Sequence, residues 1–223
     1  MIDNLLLGMQ GWDHPDCVDS SKPVPLTSLE MLASYSQRHA TVELDDTFYG
    51  VPPESVVTEW KNSVPADFTF ALKAPQQITH ERRFSDGGSL LRRFLDRVSR
   101  LGGNLGPILL LAPTVFERNE SSWSVLEKFV RELPSDFRWA LELRHHGWFG
   151  EDLHDLLAKA NVALVLGENR WVRRSVLLGL TARPTADFAY VRWNHRHASG
   201  GAARGGEHEE RVTAVWVKTL ERL

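Results

Sequence analysis

A chain of 223 residues, 42% hydrophobic and 25% charged, suits one soluble α/β domain, since single barrels of this class run to about 200 to 250 residues. No window approaches the roughly 18 uninterrupted apolar residues of a membrane-spanning helix. A net charge of −3 disfavours a generally basic nucleic-acid binder while leaving room for a local basic patch. The single Cys17 excludes an intramolecular disulfide and offers no cysteine pair for a metal.

The opening Met1-Ile2-Asp3-Asn4-Leu5-Leu6-Leu7-Gly8 has no basic start and only a short apolar run. It reads as a first strand rather than a signal peptide, so cytoplasmic residence is the expectation. Gly11-Trp12-Asp13-His14-Pro15 breaks that strand and leaves Trp12 as a candidate pocket wall. Thr27-Ser28-Leu29-Glu30 has the capping-box form, and Leu29, Leu32, Ala33 and Ser36 continue one helical face. From Thr41 to Gly50 a strand carries acids outward from an apolar body: Val42 and Leu44 share one face, and Thr41, Glu43 and Asp45 the other. Pro52-Pro53 opens a helix through Val56, Val57 and Trp60 that closes before Pro65. In the next strand, Phe68 to Pro75, Lys73 shares parity with Thr69 and Ala71.

Leu91, Phe94, Leu95, Val98 and Leu101 mark the clearest helix, with Gly102-Gly103 as its stop. Its polar side holds Arg92, Arg93, Arg97 and Arg100, with Arg82 and Arg83 ahead of it, either a solvated face or an anion-binding surface. Gly106 to Pro113 is a continuous apolar run of the kind buried on both faces. Trp123, Leu126, Phe129, Val130 and Leu133 form a helix after Ser121 and Ser122. The stretch from Arg138 to Trp148 repeats the acid-bearing strand, with Leu141 and Leu143 on one face and Ala140, Glu142 and Arg144 on the other. A helix through Leu153, Leu156, Leu157 and Ala160, a buried strand Val162 to Gly167, and a strand Phe188 to Asn194 follow, with Tyr190, Arg192 and Asn194 in parity. A Gly-rich loop from Ser199 to Gly206 precedes a terminal helix using Val212, Val215, Trp216, Leu220 and Leu223.

Seven strands alternating with helices predict a parallel sheet, with residues 1–223 forming a single TIM-type (β/α) barrel, incomplete in that the eighth strand is not evident. A doubly wound open sheet is the alternative, but no Gly-x-Gly-x-x-Gly and no Walker-type lysine loop occurs.

Five short motifs, in order, carry a family resemblance: Gly11-Trp12; Val42-Glu43 with Thr47-Phe48-Tyr49; Phe70-Ala71-Leu72-Lys73-Ala74-Pro75 with Thr79-His80; Leu105-Gly106-Pro107-Ile108-Leu109; and Glu142-Leu143-Arg144-His145 with Trp148. Together they resemble the YecE-like family, domain of unknown function family 72, over nearly the whole chain. The resemblance implies a TIM barrel and locates its site, and leaves the reaction open. Two departures stand out: Leu111-Ala112-Pro113 where the family usually has Gln-Leu-Pro, and Arg192-Trp193-Asn194-His195 where it usually has Arg-x-His-Gly. The family's last strand, with its Phe-Asn-Asn signature, would lie beyond Leu223.

In a parallel barrel the strand C-termini make the site. The expected catalytic residues are Glu43, Lys73, Glu142 and Arg144, with Trp12, Asp45, Tyr49, His80, Trp148, Arg192 and Asn194 as substrate contacts. Glu43 and Glu142 form the acid/base pair; a carboxylate left without a cation would have its pKa raised toward the range useful for a general acid. Lys73 and Arg144 hold an anionic or carbonyl oxygen, and His80 moves protons or contacts substrate. Trp12, Tyr49 and Trp148 are candidate stacking walls. The competing reading is a buried ion-pair network that merely fills the lumen. The sequence names no cofactor; a metal would need convergent His and carboxylate ligands, and His145-His146 and His195-x-His197 are neighbours that point apart or sit in a mobile loop. The expected function is acid/base chemistry, as a hydrolase or isomerase, on a small polar or anionic molecule such as a sugar or phosphorylated compound. The alternative is a non-catalytic protein whose Arg-bearing helix meets a nucleic acid or acidic partner. No membrane contact is expected, and the oligomeric state is open.

Overall fold

The structure, a computed structural model, describes residues 5–13, 26–86, 88–168, 172, 184–193, 214, 217 and 218. Strands β1 (Gly8–Gln10), β2 (Thr41–Leu44), β3 (Thr69–Lys73), β4 (Leu105–Leu111), β5 (Trp139–Glu142) and β6 (Val162–Leu164) form one parallel sheet in chain order. Strands β7 (Leu166–Glu168) and β8 (Val191–Trp193) pair in parallel as a second sheet. Helices α1 (Ser28–Ser36), α2 (Asp46–Tyr49), α3 (Glu54–Asn62), α4 (Gly88–Val98), α5 (Glu120–Arg131) and α6 (Glu151–Lys159) alternate with these strands. This is an α/β fold. No described helix is long and apolar enough to cross a membrane. Packing divides the chain into two units: Leu5–Leu111 with Asp136–Trp139, and the described residues of Ala112–Ser135 with Ala140–Leu223.

In the first unit, the opening strand starts later than the sequence suggests. Leu5, Leu6 and Leu7 are exposed and outside regular structure, and the ladder begins at Gly8. Gly8 lies opposite Thr41, and a Cβ at Gly8 would come within 2.0 Å of the Thr41 carbonyl oxygen. No side chain fits there, so the first paired position takes glycine. The fully buried Tyr35 of α1 bolts the same point: its hydroxyl accepts from Met9 N at 2.7 Å and donates to Thr41 O at 2.8 Å. That helix starts as its capping box dictates, with Glu30 N donating to Thr27 Oγ1 at 3.3 Å and Thr27 N donating to Glu30 Oε2 at 2.8 Å. Leu91, Phe94, Leu95 and Val98 all bury one face of α4. A 3-10 turn, Ser99–Asn104, then runs to the expected stop, where Gly102 has a φ of 60°. Phe68 and Phe70 meet edge-on at 5.1 Å and are fully buried with Leu72; each contributes about 1.5 to 3 kcal/mol by leaving water.

In the second unit, α5 begins one residue ahead of the serines expected to precede it. Asn119 Oδ1 accepts from Ser122 N, and Ser122 Oγ from Asn119 N, both at 2.9 Å, so Asn119 is the cap and the serines lie inside the first turn. The expected continuous strand at Val162 to Gly167 is split at Val165. Thr185 supplies the reason: its hydroxyl accepts from Leu164 N and donates to Val162 O, both at 2.8 Å, in place of a strand neighbour. Val165 N then reaches Leu141 O, and Leu166 N reaches Tyr190 O, each at 2.9 Å. Of the terminal helix, Ala214, Val217 and Lys218 are helical; its other residues, the Gly-rich run, Cys17, Asn194, His195 and His197 lie outside the described residues.

Candidate functional site

The first unit gathers charge around one ammonium. Glu43 is the penultimate residue of β2 and Lys73 the last of β3. Their apolar neighbours Val42, Leu44, Phe70 and Leu72 are buried, so parity turns Glu43 and Lys73 to the other face of the sheet. Lys73 Nζ lies 3.3 Å from Glu43 Oε1 and forms a second ion pair with Asp45 Oδ1. The strand ends at Leu44: Asp45 takes helical dihedrals of φ −87° and ψ −26°, and α2 follows. Asp45 therefore reaches Lys73 from a turn and not through strand parity.

Two residues that the sequence reading missed complete this arrangement. Gln10 Nε2 donates to the other Asp45 oxygen, Oδ2. Gln10 is directly opposite Glu43 in the β1–β2 register and stands just before Gly11, a strand-end position that could have singled it out. Thr47, fully buried, donates its hydroxyl to the Lys73 carbonyl at 2.7 Å and so fastens α2 to the end of β3; it opens the Thr47-Phe48-Tyr49 motif. His80 belongs to a π-helical turn, Gln77–Glu81, with Nδ1 2.9 Å from Thr79 Oγ1 and its ring edge-to-face with Phe48 at 5.0 Å. Tyr49 is exposed, and Trp12 is buried edge-on against Trp60 at 6.4 Å, its indole N–H donating to Ser28 Oγ at 3.2 Å.

The second unit gathers charge around one carboxylate. Glu142, the last residue of β5, accepts from Arg144 Nε at 2.9 Å through Oε1 and from Arg192 at 2.5 Å through Oε2. Glu142 is 2% exposed and Arg192 7%, which makes this a nearly dry ion triad. Both expected acid/base carboxylates, Glu43 and Glu142, thus have a cation against them. Trp148 is wholly buried, stacked on Phe116 at 5.0 Å with its indole N–H donating to the Phe116 carbonyl at 2.7 Å. Arg118 lies over Trp123 at 4.3 Å and pairs with Asp152. The His145 and His146 rings are 4.5 Å apart. Among the described residues, no three His, Cys, Asp or Glu side chains are grouped so as to hold a metal ion.

The family described as "Protein of unknown function DUF72" matches residues 6–223. The chain belongs to the DUF72 family. UPF0759 protein YecE of Escherichia coli is 31% identical over 147 residues, 66% of this chain and 51% of that protein. UPF0759 protein YunF of Bacillus subtilis is 28% identical over 158 residues, 68% of this chain and 54% of that one. This DUF72 chain therefore spans about half the length of the curated relatives it matches. Among solved structures, a DUF72 family protein from Thermotoga maritima superposes with a TM-score of 0.75 at 21% identity, covering 98% of this chain and 88% of that one. Another from Enterococcus faecalis gives 0.74 at 19% identity, covering 97% and 85%. At these identities the likeness is one of fold.

Proposed function

We propose that this DUF72 chain is a cytoplasmic enzyme built as one TIM-type (β/α) barrel that carries out acid/base chemistry, as a hydrolase or isomerase, on a small polar or anionic substrate at its strand C-terminal ends. The observation that carries the reading is charge burial at strand ends. Glu43, Lys73, Glu142 and Arg192 are each at most 9% exposed and close to the last residue of a parallel strand, where this architecture places its reacting groups. Taking charges out of water is costly, and parallel strands with covered faces are ordinarily filled with apolar residues. In the first unit Glu43 serves as acid/base and Lys73 holds a substrate oxygen; in the second, Glu142 and Arg144 take the same two roles.

The test is the melting temperature of the chain in the presence of sugars, sugar phosphates and small carboxylates. At least one class is expected to raise it, and Lys73→Met and Glu142→Gln to lose that response. No response in the parent chain to any of these classes would show that the clusters only plug the fold. The nucleic-acid alternative has less to draw on. Arg100 lies 2.7 Å and Arg97 4.0 Å from Glu54 of α3, and Arg82 pairs with Asp86, which leaves Arg92 and Arg93 as the exposed α4 arginines without an ion pair among the described residues. Binding through that face should weaken steeply as salt rises from low to moderate concentration.

A further inference from the structure

The Asp45 carboxylate is gripped as a ligand would be. One oxygen, Oδ1, faces the Lys73 ammonium and the other, Oδ2, accepts from the Gln10 amide. Lys73 comes from the end of β3 and Gln10 from the end of β1, whereas Asp45 comes from the turn between β2 and a helix of only four residues. Two donors thus come from strand ends, and the acceptor from the turn that follows β2. The two acids against Lys73 also differ in kind: the Glu43 side chain is 10% exposed and that of Asp45 37%. Glu43 is the permanent counter-ion, and Asp45 the one that water can already reach.

Asp45 Oδ1 is buried against the Lys73 ammonium, so Lys73 lies between two negative groups, Glu43 and Asp45. An anionic ligand in place of Asp45 would leave that arrangement unchanged.

We infer that Lys73 and Gln10 form an oxyanion cradle for the carboxylate or phosphate group of a small ligand, and that Asp45 is a built-in substitute in this cradle which the ligand displaces. The inference rests on the strand-end cluster being a site, and it names the group which that site recognises. It also gives Asp45 a second role, since a displaced Asp45 swings out as a free carboxylate beside the bound anion.

Removing the substitute should open the cradle. Asp45→Ala and Asp45→Asn are titrated with sodium formate and with inorganic phosphate, against sodium chloride at equal ionic strength to subtract screening. Affinity is read from the rise in melting temperature and circular dichroism confirms the fold. Both variants are expected to bind one of the two anions at least about tenfold more tightly than the parent chain, the weight of a charge-assisted hydrogen bond. Preference for formate identifies a carboxylate ligand and preference for phosphate a phosphorylated one. Adding Gln10→Leu, a change at an exposed residue, should abolish the gain. No gain in either Asp45 variant, or a gain that survives Gln10→Leu, overturns the inference. Should neither Asp45 variant fold, Gln10→Leu alone must abolish the parent's response to saturating formate or phosphate, and a response that persists, or a parent with none, overturns it equally. Failure of the catalytic reading shows separately, as a parent chain indifferent to every sugar, sugar phosphate and carboxylate while the Asp45 variants still gain anion affinity.

Discussion

The two charged clusters invert one another. Around Lys73 a single ammonium lies against two carboxylates, Glu43 and Asp45; around Glu142 a single carboxylate lies against two guanidiniums, Arg144 and Arg192. They also differ in wetness. Arg144 is the most exposed side chain of the Glu142 cluster at 16%, while Asp45 stands at 37% in the other. Breaking a nearly dry triad is costly because its charges have lost most of their water. A cluster with one partner at the surface can exchange that partner, since an exposed ion pair is worth only about 0 to 1 kcal/mol. The same strand-end position thus yields a fixed charge centre in one unit and an exchangeable one in the other.

The largest effect expected from this contrast is at Glu142. Glu142→Gln removes the anion from between two guanidiniums, one of them buried at 7% exposure, and should cost about 3 to 5 kcal/mol in urea denaturation. A cost below about 1 kcal/mol would mean that Arg144 and Arg192 are satisfied elsewhere and that the triad is not what holds them. Lys73→Met comes next, at about 3 kcal/mol. Glu43 loses the ammonium 3.3 Å away, whereas Asp45 recovers hydration, so the loss falls at the low end of that range. If Lys73→Met proves costlier than Glu142→Gln, the inversion between the clusters is wrong.

The strand interiors behind these clusters were legible because the signals are local. Alternation placed Val42 and Leu44 opposite Glu43, and the 3.6-residue period of Leu91, Phe94, Leu95 and Val98 drew α4. What escaped was set by distant partners. Glycine is required at position 8 because Thr41 leaves no room for a side chain, and β6 stops where a hydroxyl from Thr185 intervenes. The same holds for the site. Glu43 with Lys73, and Glu142 with Arg144, could be picked out as charges in apolar strands. The contacts of Asp45 with Gln10, 35 residues away, and of Glu142 with Arg192, 50 residues away, depend on how far one strand slides against the next, which no local pattern encodes.

A smaller effect is expected at the fastening of α2. Thr47→Val keeps the side-chain shape and removes the hydroxyl that donates to the Lys73 carbonyl at 2.7 Å in a buried position. The lost bond should cost about 1 to 2 kcal/mol. Thr47→Ser, which retains the donor, should recover most of it. A stable Thr47→Val beside a destabilised Thr47→Ser would assign the effect to the methyl group's packing and release α2 from this fastening.

The smallest effect separates the two acids that share Lys73. In double-mutant cycles, Asp45→Asn with Lys73→Met should show a coupling of about 1 kcal/mol or less, because the Asp45 side chain is 37% exposed and solvent screens the pair. Glu43→Gln with Lys73→Met should show a larger coupling, since at 10% exposure the Glu43 carboxylate has little water to fall back on. Raising the salt concentration should erode the Asp45 coupling first, as only that pair is open to mobile ions. The ordering matters more than either value. An Asp45 coupling equal to that of Glu43, and equally indifferent to salt, would mean that both carboxylates are permanent counter-ions of Lys73, and the cluster would then be as fixed as the one around Glu142.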